Sequence, residues 1–196
     1  MALMATAMIS CNGNNQNSIF PAGCELRTGD IVFRRGGGIS SHAVMMADIN
    51  GHYSHVGIVV DSAGKKMIVH AVPGEPDFEG DPDRVKMDTP EKFFSVTNAN
   101  AGEVKRLRGD TLTPIKAAAF AMEIYRRNTL FDHDYDDSDT TKMYCCEIVE
   151  FAYAKAGRSL AGTVRHDIKL PGLNAFHCML PSDICNSKLL ISIIDF

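Results

Sequence analysis

Hydrophobic and polar positions keep one rhythm in the first part of the chain and another in the second. Before residue 73 the apolar runs are short and rich in β-branched residues. Asp30–Arg34 (DIVFR), Ser54–Val60 (SHVGIVV) and Met67–Val72 (MIVHAV) are predicted strands, the last two separated by the turn-like Asp61–Lys66. Pro73–Pro82 (PGEPDFEGDP) is the main loop. Val104–Leu107 is a further strand candidate, and after it the spacing becomes helical. Thr113-Pro114 opens a predicted helix, with Thr113 as N-cap and Ile115, Ala118, Ala119 and Met122 on its apolar face. A second predicted helix spans Tyr144–Ala156 and stops at Gly157, a natural C-terminal cap. The apolar tail Lys188–Phe196 reads as a final strand. Strands first and helices later predict an α+β domain with an antiparallel sheet packed against helices.

The chain has 196 residues, enough for one domain with a core of its own. Its net charge is −4 and no Lys/Arg cluster stands out, which argues against nucleic acid or an anionic membrane surface as partner. The first twenty residues stand apart. An apolar stretch (MALMATAMIS) leads to Cys11 and a polar tether (NGNNQNS), a pattern that resembles a bacterial lipoprotein signal, although no Lys or Arg precedes it. On that reading Cys11 is a lipidated membrane tether and the protein is an exported envelope lipoprotein. The bland reading is a disordered tail on a cytoplasmic protein. Either way residues 1–20 are set apart from a domain at 21–196. The cysteines form no C-x-x-C pair. Cys178 and Cys185 could pair in an exported protein.

Two histidines share a predicted hairpin. Side chains alternate faces along a strand, so His55 lies with Gly57 and Val59, and His70 with Ile68 and Val72. If Val60 pairs with Met67, Gly57 lies opposite His70. If the loop is two residues shorter, His55 itself lies opposite His70. Either register puts both imidazoles on one face, and a one-residue slip would separate them. A base and its orienting partner would look like this, but on the hairpin alone two ordinary half-buried histidines are the more economical reading.

Cys145 begins the second predicted helix, on a stripe with Ile148, Val149, Ala152 and Ala156 that should face the sheet. Cys146 is turned roughly 100° away, toward Glu150 and Tyr153. A helix N-terminus favours a thiolate and offers N–H groups to an oxyanion, and a nearby histidine would complete the pair. The bland alternative is a buried structural thiol. Glu147, in the same turn, reads as a capping carboxylate that would oppose ionisation unless turned away.

Taken in order, Gly29–Phe33 (GDIVF), Tyr53–Val59 (YSHVGIV), Val69–Val72 (VHAV), Tyr144–Val149 (YCCEIV) and Pro181–Ile184 (PSDI) resemble the permuted papain-like amidases of the YaeF/YiiX type. These are relatives of the NlpC-type cell-wall peptidases and of lecithin:retinol acyltransferase. The resemblance covers roughly residues 25–190 and implies a circularly permuted papain-like fold. It implies His55 as base and Cys145 as nucleophile. Relatives commonly carry serine at the position of Cys146. The third polar position, often Glu, is filled by His70, as in the retinol acyltransferase group. The implied activity is a cysteine-dependent amide hydrolase working through a thioester on a peptide, cell-wall peptide or N-acyl substrate, without metal or cofactor. Two alternatives remain open: a lipid-directed acyltransferase or deacylase, and an inactive binding module of the same fold.

Other constellations weigh less. The acidic run Asp132–Asp139 begins like a calcium loop but has Asp137 where the glycine belongs and Met143 where the glutamate belongs. It reads as a solvated loop bordering the site. His42 and His52 read as surface residues, and His177-Cys178 lacks the partners of a metal site. Arg34-Arg35 before Gly36-Gly37-Gly38 suggests an anion contact, but no strand-to-helix phosphate loop is predicted there.

Overall fold

A computed structural model describes residues 17–169 and 175–196. Six strands form one antiparallel sheet: β1 (Ile31–Arg35), β2 (His55–Ser62), β3 (Lys65–Ala71), β4 (Val85–Asp88), β5 (Ala101–Leu107) and β8 (Leu190–Asp195), in the order β4-β3-β2-β1-β5-β8. The described helices are α1 (Ile39–Ala47), α2 (Pro90–Phe93), α3 (Leu112–Arg126), α4 (Cys145–Lys155) and α5 (Pro181–Cys185). A two-stranded ribbon joins β6 (His166–Ile168) to β7 (Phe176–Cys178).

The central strands read as continuous apolar runs because both sheet faces are covered. Ile31, Phe33, Val56, Ile58, Val60 and Val69 point to the larger core, against α3 and α4. Val32, Val59, Ile68 and Val104 point to a smaller core with Phe93, Phe94 and Leu26. Each of these Val and Ile side chains contributes about 1.5–3 kcal/mol by burial. The smaller core also takes in the end of the segment set apart above. Ile19 and Phe20 pack against it, Ile19 N–H bonds Phe94 O at 2.9 Å, and Phe20 stacks on Phe94 with ring centroids 5.5 Å apart. Residues 18–20 therefore belong to the fold. Cys11 lies outside the described residues.

The β2–β3 hairpin adopts the first of the two registers, with Val60 opposite Met67. Its turn is tighter than the six residues expected. The strands run to the Ser62↔Lys65 pair, and Ala63 (φ 53°) and Gly64 (φ 79°) make a two-residue turn of the left-handed kind that matches strand twist.

Helix α3 begins earlier than expected and presents a different face. Asp110 Oδ1 accepts the N–H groups of Leu112 (2.9 Å) and Thr113 (3.0 Å), so Thr113 lies inside the first turn. Pro114, Ala117, Ala118, Ala121 and Met122 are buried, whereas Ile115 is 54% exposed. Alanines on several faces left the stripe ambiguous, and Ile115 drew the assignment one step round the helix. A second correction concerns the glycines. β1, Gly36–Gly38 and α1 do form a strand–loop–helix unit, with Gly38 as N-cap and no buried residue in α1. A short helix with no Asp, Glu, Lys or Arg and no fully buried residue has no strong periodic signal.

Candidate functional site

The first turn of α4 is fixed from both sides. Tyr144, its N-cap, is buried, and its hydroxyl accepts Met179 N–H at 3.0 Å. Tyr144 N–H donates to Glu147 Oε2 at 3.3 Å. No side chain caps the following N–H groups, so the positive end of the helix faces outward at Cys145.

The two cysteines differ from the expected arrangement. Ile148, Val149 and Ala152 are buried as expected, but so are Glu150 and Tyr153, and α4 has little exposed face to separate from a buried one. Cys146 is the thiol inside the larger core, 1% exposed. Cys145 is half-buried and lines a cleft. Their sulfurs are 3.9 Å apart. Glu150 does not face Cys146, because it accepts Leu160 N–H (2.8 Å), Ala161 N–H (2.9 Å) and the Ser159 hydroxyl. Burial and the neighbouring Cys145, not Glu150, push the Cys146 thiol well above its ordinary value.

Cys145 moves the other way. Hydrogen bonding from the Cys146 thiol, the charge and hydrogen bond of His55, and the Val56 N–H together hold it well below its ordinary value against the opposing effect of burial. The Val56 N–H is available for a backbone reason. The β2–β3 ladder stops at Ile58↔Val69, so the strand ends beyond it stand apart, and the sulfur occupies that opening. His55, His70 and Arg34 pack around Phe93 on the smaller-core side, while the body of α4 lies on the other side. Thiol and imidazole meet at the open end of the hairpin, not across a sheet face.

The structure brings together all three residues singled out in the sequence. His55 Nε2 lies 2.9 Å from His70 Nδ1, which leaves His55 Nδ1 for Cys145. Gly57 makes room for this pair, since a Cβ there would stand 2.6 Å from Ile68 Cγ2 and 3.3 Å from His70 Cβ. Burial lowers both imidazoles to about 4, with the Cys145 charge pulling His55 back up and the Asp88 contact pulling His70 back up. Phe93 shields the chain from solvent, with ring centroids 5.6 Å from His55 and 4.9 Å from His70.

The sequence reading missed Asp88. It sits at the end of β4, where Oδ2 lies 3.0 Å from His70 Nε2 and Oδ1 lies 2.8 Å from Lys92 Nζ. The signal was weak: a four-residue strand, VKMD, whose alternation places Lys86 and Asp88 on one face. Arg34, which the sequence suggests as an anion contact, is buried, where it donates to Phe93 O at 2.7 Å and to the Glu75 carboxylate. Burial pushes Glu147 up to about 9, so at neutral pH it is protonated and does not oppose a thiolate.

The cleft encloses about 250 Å³. Its polar lining includes Gly36–Gly38, Ser40, Ser41, Ser54 and Asn98. Its apolar lining includes Val44, Val72, Phe131 and Tyr135. Phe131 and Tyr135 bring the start of the acidic segment to the site, and Asp132 turns inward to accept Asp134 N–H at 3.0 Å. His42, His52 and His177 are exposed, and His177 pairs with Asp167 at 2.8 Å. Cys178 and Cys185 are free thiols.

No family model matches this chain, and no curated protein matches it. The solved structures that match include metalloprotein yiiX from Escherichia coli, with a TM-score of 0.67 and 18% identity over 87% of this chain and 97% of that one. The likeness shows a YiiX-like α+β fold. That neighbour is described as a metalloprotein. Among the described residues here, no group of three or more His, Cys, Asp and Glu side chains is placed to hold a metal ion.

Proposed function

We propose that this protein is a cysteine-dependent amide hydrolase of the circularly permuted papain-like kind, with Cys145 as nucleophile, His55 as base and His70 as its orienting partner. The observation that supports this reading is the contiguous chain Cys145, His55, His70 at an uncapped helix N-terminus in a cleft. His55 takes the Cys145 thiol proton, the resulting thiolate attacks the substrate carbonyl carbon, and the oxyanion that forms is held by first-turn N–H groups of α4. His55 gives its proton to the leaving amine as the C–N bond breaks, which leaves a thioester on Cys145. Water, deprotonated by His55, then attacks the thioester, and the carboxylic acid departs with the thiol restored. The apolar lining residues Val44, Val72 and Phe131 suit a hydrophobic acyl group.

An alcohol or amine arriving in place of water would make the same machinery an acyltransferase. The test is to incubate the protein with peptide, N-acyl and lipid ester libraries and to search intact mass for an acyl adduct. An adduct that maps to Cys145 and disappears in Cys145→Ser supports the reading. A thiol that accumulates no adduct and shows no rapid alkylation would leave a binding module.

A further inference from the structure

The His55–His70 contact poses a problem of direction, and we infer that Asp88 solves it as a positioning residue that sets the tautomers of both imidazoles. The inference rests on the functional reading above. A neutral imidazole donates through one nitrogen and accepts through the other. The 2.9 Å contact between His55 Nε2 and His70 Nδ1 holds one proton, and it can sit at either end. If it sits on His70, then His55 carries its own proton on Nδ1, the atom that faces Cys145, and cannot accept from the thiol. His70 Nε2 would then aim a lone pair at the Asp88 carboxylate. If it sits on His55 Nε2, then His70 donates from Nε2 to Asp88 Oδ2 at 3.0 Å, and His55 Nδ1 is free as a base. An ionised carboxylate only accepts, so Asp88 selects the second arrangement two imidazoles away from the sulfur.

The surroundings of Asp88 keep it ionised. Lys92 Nζ, on α2, lies 2.8 Å from Oδ1. Lys86 Nζ, on β4 itself, lies 3.7 Å from Oδ2, and His70 faces it from β3. Burial works against the charge, but His70, Lys92 and Lys86 outweigh it and hold the carboxyl below its ordinary range. The same cations connect the relay to the cleft wall. Lys86 donates to Glu75 O at 2.7 Å, and both lysines reach Asp77 on the loop that carries Glu75. When His55 takes the thiol proton, the chain reads imidazolium, neutral imidazole, carboxylate. No proton need move to Asp88.

The experiment reads tautomers directly. The full-length Cys145→Ser protein, labelled with nitrogen-15 in its histidines, is observed by NMR with and without Asp88→Asn. With Asp88 present, both His55 and His70 should carry their proton on Nε2 at neutral pH. In the Asp88→Asn protein the new amide can donate as well as accept, and a mixture including Nδ1–H on His55 should appear. In the protein that keeps Cys145, Asp88→Asn should slow iodoacetamide alkylation at pH 7 by roughly tenfold or more, as loss of an orienting partner does elsewhere. Asp88→Glu should restore part of the rate. Unchanged tautomers and an unchanged pH profile in folded Asp88→Asn would overturn the assignment. So would His55 protonated on Nδ1 in the Asp88-containing protein, which needs no folded variant. Slow alkylation with Asp88 present would instead count against the thiol hydrolase, and the tautomer spectra would still decide the role of Asp88.

Discussion

The β2–β3 hairpin ends in two different ways. At the turn the backbone pairs with itself down to Ser62↔Lys65, closes in two left-handed residues, and sits among lysines at the surface. At the other end the ladder stops at Ile58↔Val69, and side chains do what backbone bonds do elsewhere. The Val56 N–H goes to the Cys145 sulfur, His55 reaches His70, and His70 reaches Asp88. The closed end is a local structure that any compatible sequence would form. The open end holds together only because α4, α2 and β4 arrive there from elsewhere in the chain. An opening in a sheet leaves donors unpaired, and a site uses them.

The two ends should respond differently to change. The largest expected difference lies in thiol reactivity at the open end. Cys145→Ser should abolish rapid iodoacetamide labelling at neutral pH, while Cys146→Ser, which keeps a donor beside Cys145, should leave most of it. Labelling rates with peptide mapping check this. The reverse result would move the nucleophile to Cys146.

Acid should weaken the open end and spare the closed one. His70, the imidazole that stays neutral in the relay, falls to about 4 in the folded protein, below the ordinary 6.5. Between those values the unfolded chain takes up protons that the folded chain refuses, so stability falls as pH drops from about 6.5 to about 4. The loss from His70 is up to about 3 kcal/mol. Asp88, held low when folded, adds a loss of the same sign below its ordinary value of 3.8. Urea unfolding at pH 7 and pH 5 should show this. The turn variant Gly64→Ala should lower stability by about 1 kcal/mol at both pH values, because φ 79° strains an alanine equally at each.

Gly57→Ala separates packing from chemistry. Its Cβ would press on Ile68 Cγ2 and on Val69 O at 3.2 Å, which costs about 1–3 kcal/mol and shifts β3 against β2. Thiol labelling should slow together with the loss of stability. In Gly64→Ala it should not change. An effect of opposite pH sign is expected at Glu147, which sits at about 9 against an ordinary 4.5. The unfolded chain releases that proton from about pH 4.5 upward while the folded chain keeps it, so wild-type stability declines toward pH 9. Glu147→Gln keeps an acceptor for Tyr144 N–H, removes this decline, and should stabilise by up to about 4 kcal/mol more at pH 8 than at pH 5. Thermal or urea midpoints at the two pH values would register it.

The same contrast explains what could be read from the sequence. The strands around His55 and His70 announce themselves by β-branched runs, and strand parity places both imidazoles on one face. Gly157 marks the end of α4, whose first turn carries Cys145. Asp88 escaped because four residues give too little alternation to declare a strand, and its partner His70 lies across a ladder formed only in three dimensions. The orientation of Cys145 and Cys146 escaped for another reason. α4 is buried nearly all round, so its apolar stripe does not report which thiol faces the core. Nor does periodicity foresee that the meeting point is a gap at the end of a ladder, because a gap is a property of two strands that diverge and belongs to neither alone.

The central claim is that Cys145 is a thiolate at neutral pH because of what surrounds it at the open end. The most direct measurement is the pH dependence of iodoacetamide labelling of the wild-type protein between pH 5 and 10, resolved peptide by peptide. The account predicts that Cys145 reacts first and that its rate is already level well below pH 9. Cys178, which burial raises to about 11, should stay unreactive across neutral pH. A Cys145 rate that climbs only through pH 8–9, like an ordinary exposed thiol, would contradict it.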